Sequence, residues 1–392
     1  MDLYTKAVHA GDRKKPGYAV PVTTPIYTAT TYLYDETAEL DRIFGREQQG
    51  YSYSRYDNPT NGALEELVTA LEGGHGALAC ASGMAAVHTA VLTALVDRPK
   101  SVVAANALYG ATISVLGKIF EPLGVEVAYV DVCDLAAVEN ALKEHKPGCV
   151  LMETMSNPLL RVGEIDRIAA LARASGAALV VDNTFATPLL LRPLELGAHL
   201  VVHSLTKFLA GHGDVLGGVV VSDEEHYETL RTLGRASGPV LGPFESYLAM
   251  RGIKTFPLRM ERQCANACRI AARLAEHPRV ERVVFPADAA HPDAATVRRL
   301  FPEGLYGAMV SFEIRGAARE DVFRFMDRLR LVTRGSSLGD VQSLLLYPSM
   351  ASHREVSPKA RERMGIRENL VRLSVGIEAA ADILADLEQA LG

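Results

Sequence analysis

The 392-residue chain contains no tryptophan, few aromatic residues and only five cysteines. A low, odd number of cysteines in a chain of this length argues against a disulfide framework, and we therefore expect a reducing, cytoplasmic location. Long apolar runs are also lacking, since the most apolar stretch, residues 84–96, is too short to span a bilayer and contains His88. The N-terminal residues have no apolar core behind their charges, which argues against a secretory signal.

An excess of positive charge is absent as well. The chain has 41 Lys and Arg against 47 Asp and Glu, for a net charge of −6, whereas surfaces that bind nucleic acid or anionic membranes need an excess of cations. We therefore expect neither nucleic acid nor a membrane as a partner. The hydrophobic fraction of 48% and the charged fraction of 22% are typical of folded proteins and exclude disorder as the main state.

Short apolar runs alternate with helix-like segments between about residues 63 and 222. The runs consist of Val, Leu and Ala without polar alternation, which is typical of strands buried on both faces. The predicted strands are residues 77–80, 101–105, 125–130, 149–153, 178–182, 199–203 and 218–222. This alternation predicts an α/β fold with a largely parallel sheet.

The pattern changes on either side of this region. After about residue 240 it becomes helical, with Pro257 as a kink or break, and then includes strand-like runs at 282–285, 309–314, 329–332 and 370–375. The first 60 residues are rich in Pro, Thr and Tyr and fit neither period. We predict three parts, which are an N-terminal arm (1–60), an α/β domain (61–242) and a smaller C-terminal α+β domain (243–392).

Several common motifs are incomplete. The glycine-rich stretch 211–218 has Leu216 where a dinucleotide-binding loop needs its third glycine, and the stretch 109–118 lacks the spacing of a P-loop. Cys264 and Cys268 are four residues apart on a predicted helix but have no third ligand nearby. We therefore predict core packing for these cysteines and no metal site.

Ser204 and Lys207 match the Ser-x-x-Lys pair of β-lactamase-like acyl-enzymes. That class also needs Ser-Asp-Asn and Lys-Thr-Gly elements, and the nearest strings here, beginning at Ser222 and Lys254, do not fit. The pair also follows a predicted strand directly instead of entering a helix from a loop. An acyl-enzyme is therefore a remote alternative.

Three predicted strands end in residues that together suit one cofactor. One strand ends in Asp182, the next leads into Ser204, Thr206 and Lys207, and the first leads into Gly83 at a helix start. Open α/β sheets bind ligands at the carboxyl ends of their strands. Pyridoxal 5′-phosphate (PLP) needs a lysine for its aldehyde, a carboxylate for its pyridine nitrogen and free helix amides for its phosphate. The sequence therefore predicts a PLP site at this edge.

Almost the whole chain, from Thr5 to Glu378, resembles the PLP-dependent enzymes of cysteine and methionine metabolism. The resemblance is carried by YSRYDNPT, ASGMAA, LYGAT, ETMSNP, VDNTF, SLTKFLAGHGDV and SSLGDVQSL. This family includes cystathionine γ-synthases, cystathionine γ- and β-lyases, methionine γ-lyases and homoserine-ester sulfhydrylases. The resemblance implies fold type I, the aspartate aminotransferase-like architecture, with a mainly parallel seven-stranded sheet. It also implies a homotetramer of dimers that share active sites.

The resemblance assigns roles to individual residues. Lys207 holds the cofactor as a Schiff base and moves protons between substrate carbons, while Asp182 pairs with the pyridine nitrogen. Tyr109 stacks on the ring and acts as acid or base at the leaving group. The implied phosphate ligands are the amides of Gly83 and Met84, the hydroxyls of Ser204 and Thr206, and Tyr53 and Arg55 of a neighbouring subunit.

The resemblance also implies a substrate-binding set. Arg372 clamps the substrate carboxylate with two parallel hydrogen bonds, helped by Asn157 and the backbone near Ser337. Arg372 and Ser374 share one face of a predicted strand, and an inward-facing arginine needs a partner charge, which a bound carboxylate supplies.

The positions that separate family members are mostly uncharged in this chain. Members that handle cystathionine usually carry acidic residues before the YSR and SLG motifs, where this chain has Ser52 and Ser336. Asp340 after SLG is more similar to methionine γ-lyases and sulfhydrylases, although those lyases commonly have Cys where Ala111 stands. Gln342 also stands where many members have an acid.

We expect α,γ-elimination of methionine or a related sulfur amino acid such as cystathionine or homocysteine, to 2-oxobutyrate, ammonia and a thiol. The alternative is γ-replacement, as in cystathionine γ-synthase or an O-acylhomoserine sulfhydrylase. The acyl-enzyme above and a catalytically silent protein on the same fold stay open beside these two.

Overall fold

Two β-sheets organise the protein, whose computed structural model describes residues 1–11, 20–352, 354, 359, 361 and 364–392. The strands of the first sheet are Gly76–Cys80 (β1), Ser101–Ala105 (β2), Glu126–Val130 (β3), Cys149–Glu153 (β4), Ala178–Asp182 (β5), Leu200–Ser204 (β6) and Gly218–Ser222 (β7). They lie in the order β1-β7-β6-β5-β4-β2-β3, and only β7 runs against its neighbours. This arrangement confirms the predicted α/β class, and each predicted strand of this region agrees with an observed one to within one residue at either end.

Helices cover the first sheet on both faces, and this explains why its strands do not alternate between apolar and polar residues. Every residue of β2, β4 and β7 is buried. The α-helices of the described residues are Leu3–His9 (α1), Thr37–Phe44 (α2), Pro59–Glu72 (α3), Gly83–Leu95 (α4), Gly110–Val115 (α5), Leu135–His145 (α6), Ile165–Ala174 (α7), Thr187–Leu190 (α8), Glu224–Ser237 (α9), Pro243–Ile253 (α10), Phe256–Ala275 (α11), Ala294–Leu300 (α12), Arg319–Arg328 (α13) and Ala380–Leu391 (α14). None of these helices is both long enough and apolar enough to cross a membrane.

The second sheet is smaller and mixed. Its strands are Val280–Val284 (β8), Met309–Ile314 (β9), Thr333–Arg334 (β10), Leu344–Leu346 (β11) and Leu370–Ser374 (β12), in the order β10-β11-β12-β9-β8. Strand β12 lies at its centre and pairs antiparallel with β9 and β11. Apolar side chains of α11, α13 and α14 pack with those of this sheet in one core, which agrees with a second α+β unit.

The strand predicted at 329–332 is wrong. The amides of Arg330, Leu331 and Val332 donate to the carboxylate of Asp386 on α14, at 2.8 to 2.9 Å, instead of to a neighbouring strand. The chain joins the sheet only at β10, and the short strand β11 was not predicted. A carboxylate that is distant in sequence thus accepts the hydrogen bonds that these amides would have made to a neighbouring strand.

The expectation that the first 60 residues lack helical period is also wrong for two stretches. Helix α1 begins after Asp2, whose side chain accepts a hydrogen bond from the Thr5 amide at 2.9 Å. Helix α2 follows later in the arm. The break predicted at Pro257 is present, because α10 ends at Ile253 and Pro257 stands in the first turn of α11.

The two cores do not divide at residue 242. Met250 and Ile253 of α10, together with Cys264 of α11, belong to the core of the first sheet. Cys264 is fully buried there, while Cys268 packs on the core of the second sheet. The domain boundaries given above stay a prediction.

Candidate active site

The carboxyl ends of four parallel strands meet at one edge of the first sheet. Strand register pairs Glu153 with Asp182 and Asp182 with Val202, so that β4 and β5 end at one level and β6 continues two residues further, to Ser204. Strand β7 connects the end of β6 to the end of β1, because Gly218 pairs with Ser204 on one side and with Cys80 on the other. The structure therefore brings together the carboxyl groups of Glu153 and Asp182, the Ser204 hydroxyl and the helix that begins at Gly83.

Helix α4 begins at this edge and provides free amides. Ser82 caps it, because its hydroxyl accepts from the Ala85 amide at 3.1 Å. The amides of Gly83 and Met84 have no acceptor within the helix, since the first turn of an α-helix leaves its N–H groups unpaired. A Cβ on Gly83 would lie 2.9 Å from the Ser204 Cβ and 3.0 Å from its Oγ. Glycine thus permits the Ser204 hydroxyl to lie directly beside this anion-binding helix end.

Asp182 is held by the loop that follows its strand. Its Oδ1 accepts from the Thr184 amide at 3.0 Å, and the Thr184 hydroxyl accepts from the Ser204 amide at 2.9 Å. Burial raises the pKa of Asp182. The hydrogen bonds from Thr184 and the charge of the nearby His203 oppose that increase. A cation placed against this carboxylate would favour its ionised form.

Fully buried polar side chains fix the strand ends from the opposite face of the sheet. Glu72 of α3 contacts His203 Nε2 at 2.5 Å and accepts from Asn183 Nδ2 at 2.9 Å. Asn183 Oδ1 in turn accepts from the Thr154 hydroxyl at 2.8 Å. Thr154, Asn183 and His203 are the sequence neighbours of Glu153, Asp182 and Ser204, so these bonds connect the three strand ends.

Lys207 lies in the turn after β6 and points to the second sheet region. Its Nζ donates to the Ser337 hydroxyl at 3.0 Å. Burial and the charge of Arg372 lower the pKa of Lys207, and Asp340 opposes them. A lysine amine with a lowered pKa has a larger neutral fraction at neutral pH and can act as a base.

Arg372 lies in the middle of β12 and is buried. Its Nη1 donates to Asn157 Oδ1 at 2.9 Å, and its Nη2 donates to the Ser337 carbonyl at 3.3 Å. Its Nε has no hydrogen-bond partner among the described residues. Burial lowers the pKa of Arg372 to about 10. A buried guanidinium without a carboxylate partner is suited to an anionic ligand.

Tyr109 is bonded to Glu153 through its backbone, and its side chain lies close enough to Arg372 to affect that guanidinium. The Tyr109 amide donates to Glu153 Oε1 at 2.5 Å, and the Tyr109 side chain is 43% exposed, which leaves its ring open to a ligand. Burial and the adjacent Asp182 raise the pKa of Glu153 well above its ordinary value. Sequence analysis gave Glu153 no role, although its place at the end of a buried strand was the available signal.

Thr206 lies near this edge, but its hydroxyl is bonded within the chain. It accepts from the Gly217 amide at 3.1 Å and donates to the Gly217 carbonyl at 3.3 Å. A phosphate would have to compete for its single hydroxyl proton, so the role of Thr206 stays a prediction.

Tyr53 and Arg55 lie elsewhere. Arg55 donates to the Arg235 carbonyl and stacks over the rings of Tyr53 and Tyr56, at 5.6 and 4.7 Å from their centroids. Throughout the described part of the chain, no hydrogen bond or ring contact connects Tyr53 or Arg55 with Gly83, Ser204 or Lys207. Their predicted role in a neighbouring subunit is not tested by a single chain.

The residues at this edge fit PLP. The amine of Lys207 suits the aldehyde, and the half-buried carboxylate of Asp182 suits the pyridine nitrogen. The start of α4 at Gly83, beside the Ser204 hydroxyl, suits the phosphate. They fit the acyl-enzyme alternative poorly, because the amine of Lys207 is bonded to Ser337 and not to Ser204.

Comparison with known proteins leads to the same chemistry. The family described as "Cys/Met metabolism PLP-dependent enzyme" matches residues 4–392. The L-methionine gamma-lyase of Pseudomonas putida is 41% identical over 390 residues, covering 99% of this chain and 96% of that protein. The cystathionine gamma-lyase of Bacillus subtilis is 41% identical over 395 residues, covering 100% and 99%.

Solved structures are similar over the full length. The cystathionine gamma synthase of Xanthomonas oryzae pv. oryzae, in complex with cystathionine, superposes with a TM-score of 0.91 at 36% identity, covering 100% of this chain and 98% of that chain. The chain therefore belongs to the PLP-dependent enzymes of cysteine and methionine metabolism.

Proposed function

We propose that this enzyme is a carbon–sulfur lyase that removes the γ-thiol from methionine, or from a related amino acid such as cystathionine or homocysteine, and releases 2-oxobutyrate and ammonia. One observation carries the proposal. The amine of Lys207 and the guanidinium of Arg372 bond to the same residue, Ser337, through its hydroxyl and its carbonyl. A base and a carboxylate-binding cation therefore lie together, as an α-amino acid substrate requires.

Arg372 binds the substrate carboxylate. Asn157 and the Ser337 carbonyl fix the orientation of its guanidinium, and its Nε has no partner among the described residues. A bound carboxylate offsets the desolvation of this buried cation and adds charge-assisted hydrogen bonds. Because Ser337 also contacts Lys207, a carboxylate at Arg372 brings the α-carbon close to the lysine amine.

The residues at the sheet edge would hold the cofactor. Asp182 would bind the pyridine nitrogen, while the amides of Gly83 and Met84 and the hydroxyls of Ser204 and Thr206 would bind the phosphate. When bound, PLP withdraws electrons from the α-carbon of the substrate, so that its proton can leave. Lys207 is the residue that carries the cofactor between turnovers.

Lys207 and Tyr109 move the protons. The neutral amine of Lys207 takes the proton of the α-carbon and gives it up again before it takes a proton of the β-carbon, which it later returns to the γ-carbon. The carbon–sulfur bond at the γ-carbon breaks next, and the hydroxyl of Tyr109 protonates the departing thiolate. Addition of water then releases 2-oxobutyrate and ammonia. The lowered pKa of Lys207 favours the neutral amine that the first step needs.

The substrate class is inferred from uncharged positions. Ser52, Ala111 and Ser336 carry no charge that could hold the distal ammonium of cystathionine, which favours methionine. The methionine gamma-lyase of Pseudomonas putida supports this choice. The alternative is γ-replacement, in which an incoming thiol adds to the γ-carbon, as the name of the Xanthomonas oryzae synthase describes for that enzyme.

We further propose a cytoplasmic homotetramer of active-site-sharing dimers, in which Tyr53 and Arg55 bind the phosphate of the neighbouring subunit. The exposure of Tyr53 at 41% supports this proposal, because a phosphate ligand that faces solvent in one chain can contact a second chain.

A product assay tests the reaction. Methionine, homocysteine, cystathionine, cysteine and acylhomoserines are incubated with the enzyme and with its Lys207→Ala variant, with and without added thiol. We expect 2-oxobutyrate and a thiol from methionine without added thiol, and none from the variant. A thioether formed only from an acylhomoserine plus thiol establishes γ-replacement instead, and a fluorophosphonate adduct on Ser204 contradicts both reactions.

A further inference from the structure

Residues 337–341 form a loop, here called the clamp loop, that joins the Lys207 turn to strand β12. At one end, the Gly339 amide donates to the Ser374 hydroxyl on β12 at 2.8 Å. At the other end, the Val341 amide donates to the Gly211 carbonyl at 2.9 Å, four residues beyond Lys207. The clamp loop therefore connects the base with the strand that carries the carboxylate-binding arginine.

The clamp loop lies in direct contact with the backbone of the lysine. Gly339 has φ +80°, and a Cβ there would lie 2.9 Å from the Lys207 carbonyl carbon and 2.5 Å from the Phe208 nitrogen. A side chain at this position would push the lysine turn away, so glycine is required for the approach. The next residue, Asp340, is fixed through its carbonyl, which accepts from Gln263 Nε2 at 2.7 Å.

Asp340 places a buried carboxylate at this point. Only 6% of the residue is exposed, and its Oδ1 has no hydrogen-bond partner among the described residues. A Cβ on Gly213 would lie 2.9 Å from its Oδ2. Burying an unpaired carboxylate costs free energy unless cations lie nearby, so positive charge is needed around Asp340.

Two cations near this carboxylate, the half-buried Lys207 and the buried Arg259, form no ion pair with another acid in the described part of the chain. Lys207 donates to a serine hydroxyl, and Arg259 donates to the carbonyls of Phe208, Leu209 and Gly252 at 2.9 to 3.0 Å. Burial lowers the pKa of both cations, and the charge of Asp340 opposes this for both. The other charged or titratable groups around them are Arg372, His212, Asp214, Tyr109, Asp182 and Glu153.

We propose that Asp340 is a positioning residue of this enzyme, the buried counter-charge that holds the Lys207 nitrogen ready to accept and return protons. This inference rests on the proposed function only in taking Lys207 as the reactive amine. Arg372 loses its effect on Lys207 once the substrate carboxylate neutralises it. Asp340 then remains as the negative charge that offsets the effect of burial on the protonated amine.

The sign of the effect follows from the charges. A neutral side chain at position 340 removes a negative charge that favours the protonated nitrogen, so protonation requires a lower pH. In the holoenzyme, the visible absorbance of the bound cofactor reports protonation of the nitrogen that joins it to Lys207. We expect the midpoint of this absorbance titration to fall by about one pH unit in Asp340→Asn. The acid limb of kcat/KM should move in the same direction.

The experiment compares Asp340→Asn with Asp214→Asn and Asp340→Glu. Asp214 is exposed and close to the clamp loop, so its variant makes the same change of charge in water and should leave the midpoint within about 0.3 pH units. Asp340→Glu retains the charge and should recover at least half of the shift. If Asp340→Asn does not fold, the smaller neutral variant Asp340→Ser is subject to the same expectation.

Two results overturn the inference. The first is a midpoint in the neutral variants equal to that of the parent. The second is an equal shift in the Asn and Glu variants, which assigns the effect to shape and not to charge. The titration uses no substrate, so its failure leaves the proposed lyase reaction intact. Failure of methionine turnover likewise leaves this inference intact.

Discussion

The edge of the first sheet and the N-terminal arm differ in how they hold their side chains. At the sheet edge, Asp182, Ser204 and Lys207 are bonded to neighbouring residues and are half-buried. In the arm, Leu33 is 95% and Val22 74% exposed, although both are large apolar residues. One chain thus assembles the sheet edge by itself, whereas these two side chains of the arm lie largely in solvent.

This difference supports the proposal that a second copy of the chain completes the site. Exposed large apolar side chains are candidates for an interaction surface. Tyr53 and Arg55 belong to the arm, and within the chain they contact each other, Tyr56 and the Arg235 carbonyl instead of the sheet edge. We therefore predict that a variant at the sheet edge affects the site of its own chain, and that a variant in the arm affects the site of a neighbouring chain.

The largest effect is expected for Lys207→Ala. Removing the amine removes both the attachment of the cofactor and the base, so that kcat should fall by about 10³-fold or more. Steady-state assays with methionine measure the loss. Thermal unfolding of the cofactor-free proteins should differ little, because the amine makes one hydrogen bond within the chain. Ordinary turnover by this variant contradicts the sheet-edge assignment.

A mixing experiment tests the arm. Arg55→Ala should weaken phosphate binding in the neighbouring site, and Arg55→Ala and Lys207→Ala proteins should each be nearly inactive alone. Random exchange of subunits makes half of the dimers mixed, and each has one intact site of two, so activity should return to roughly a quarter of the parent value. Absence of rescue, with exchange shown by mass spectrometry, means that Arg55 and Lys207 of one and the same chain form a site.

A smaller effect, confined to binding, is expected for Arg372→Lys. A lysine keeps the charge but loses the planar pair of donors, and one charge-assisted hydrogen bond is worth about 1.5–3 kcal/mol. KM for methionine should rise roughly 10- to 100-fold with a smaller change in kcat. An unchanged KM means that the substrate carboxylate binds elsewhere.

The smallest effect is expected for Leu33→Ser, compared with Leu64→Ala in helix α3. Leu64 is fully buried, and its truncation should cost about 2–5 kcal/mol in the free energy of unfolding. Leu33→Ser should change the unfolding of the isolated chain by less than about 0.5 kcal/mol, while weakening association between chains. Urea denaturation and sedimentation measure the two quantities. A large loss of chain stability from Leu33→Ser shows that the arm packs on its own chain.

The sequence predicted the first sheet well because its strands are buried on both faces. Continuous Val and Ala runs mark such strands, and residues at their ends, such as Asp182 and Lys207, follow from the parallel arrangement. Contacts between the two sheets could not be predicted in this way. The bond from Lys207 to Ser337 joins residues 130 positions apart, and no local period specifies how the clamp loop meets the lysine turn.

In other parts of the chain, the local sequence pattern predicted the wrong element or gave no prediction. Residues 329–332 have the composition of a strand, but Asp386 binds their amides from a distant helix. Glu153 is a strand-end carboxyl like Asp182, and only the shared register of β4 and β5 reveals that the two lie side by side. The resemblance to a family supplied Arg372, which the residues alone could not separate from a strand-edge arginine.

Reduction of the holoenzyme with borohydride, followed by digestion and peptide mass spectrometry, tests the central claim most directly. The account predicts a pyridoxyl adduct on the peptide that contains Lys207, and its absence from the Lys207→Ala protein. An adduct on a different lysine, or none on a protein that turns over methionine, contradicts the assignment.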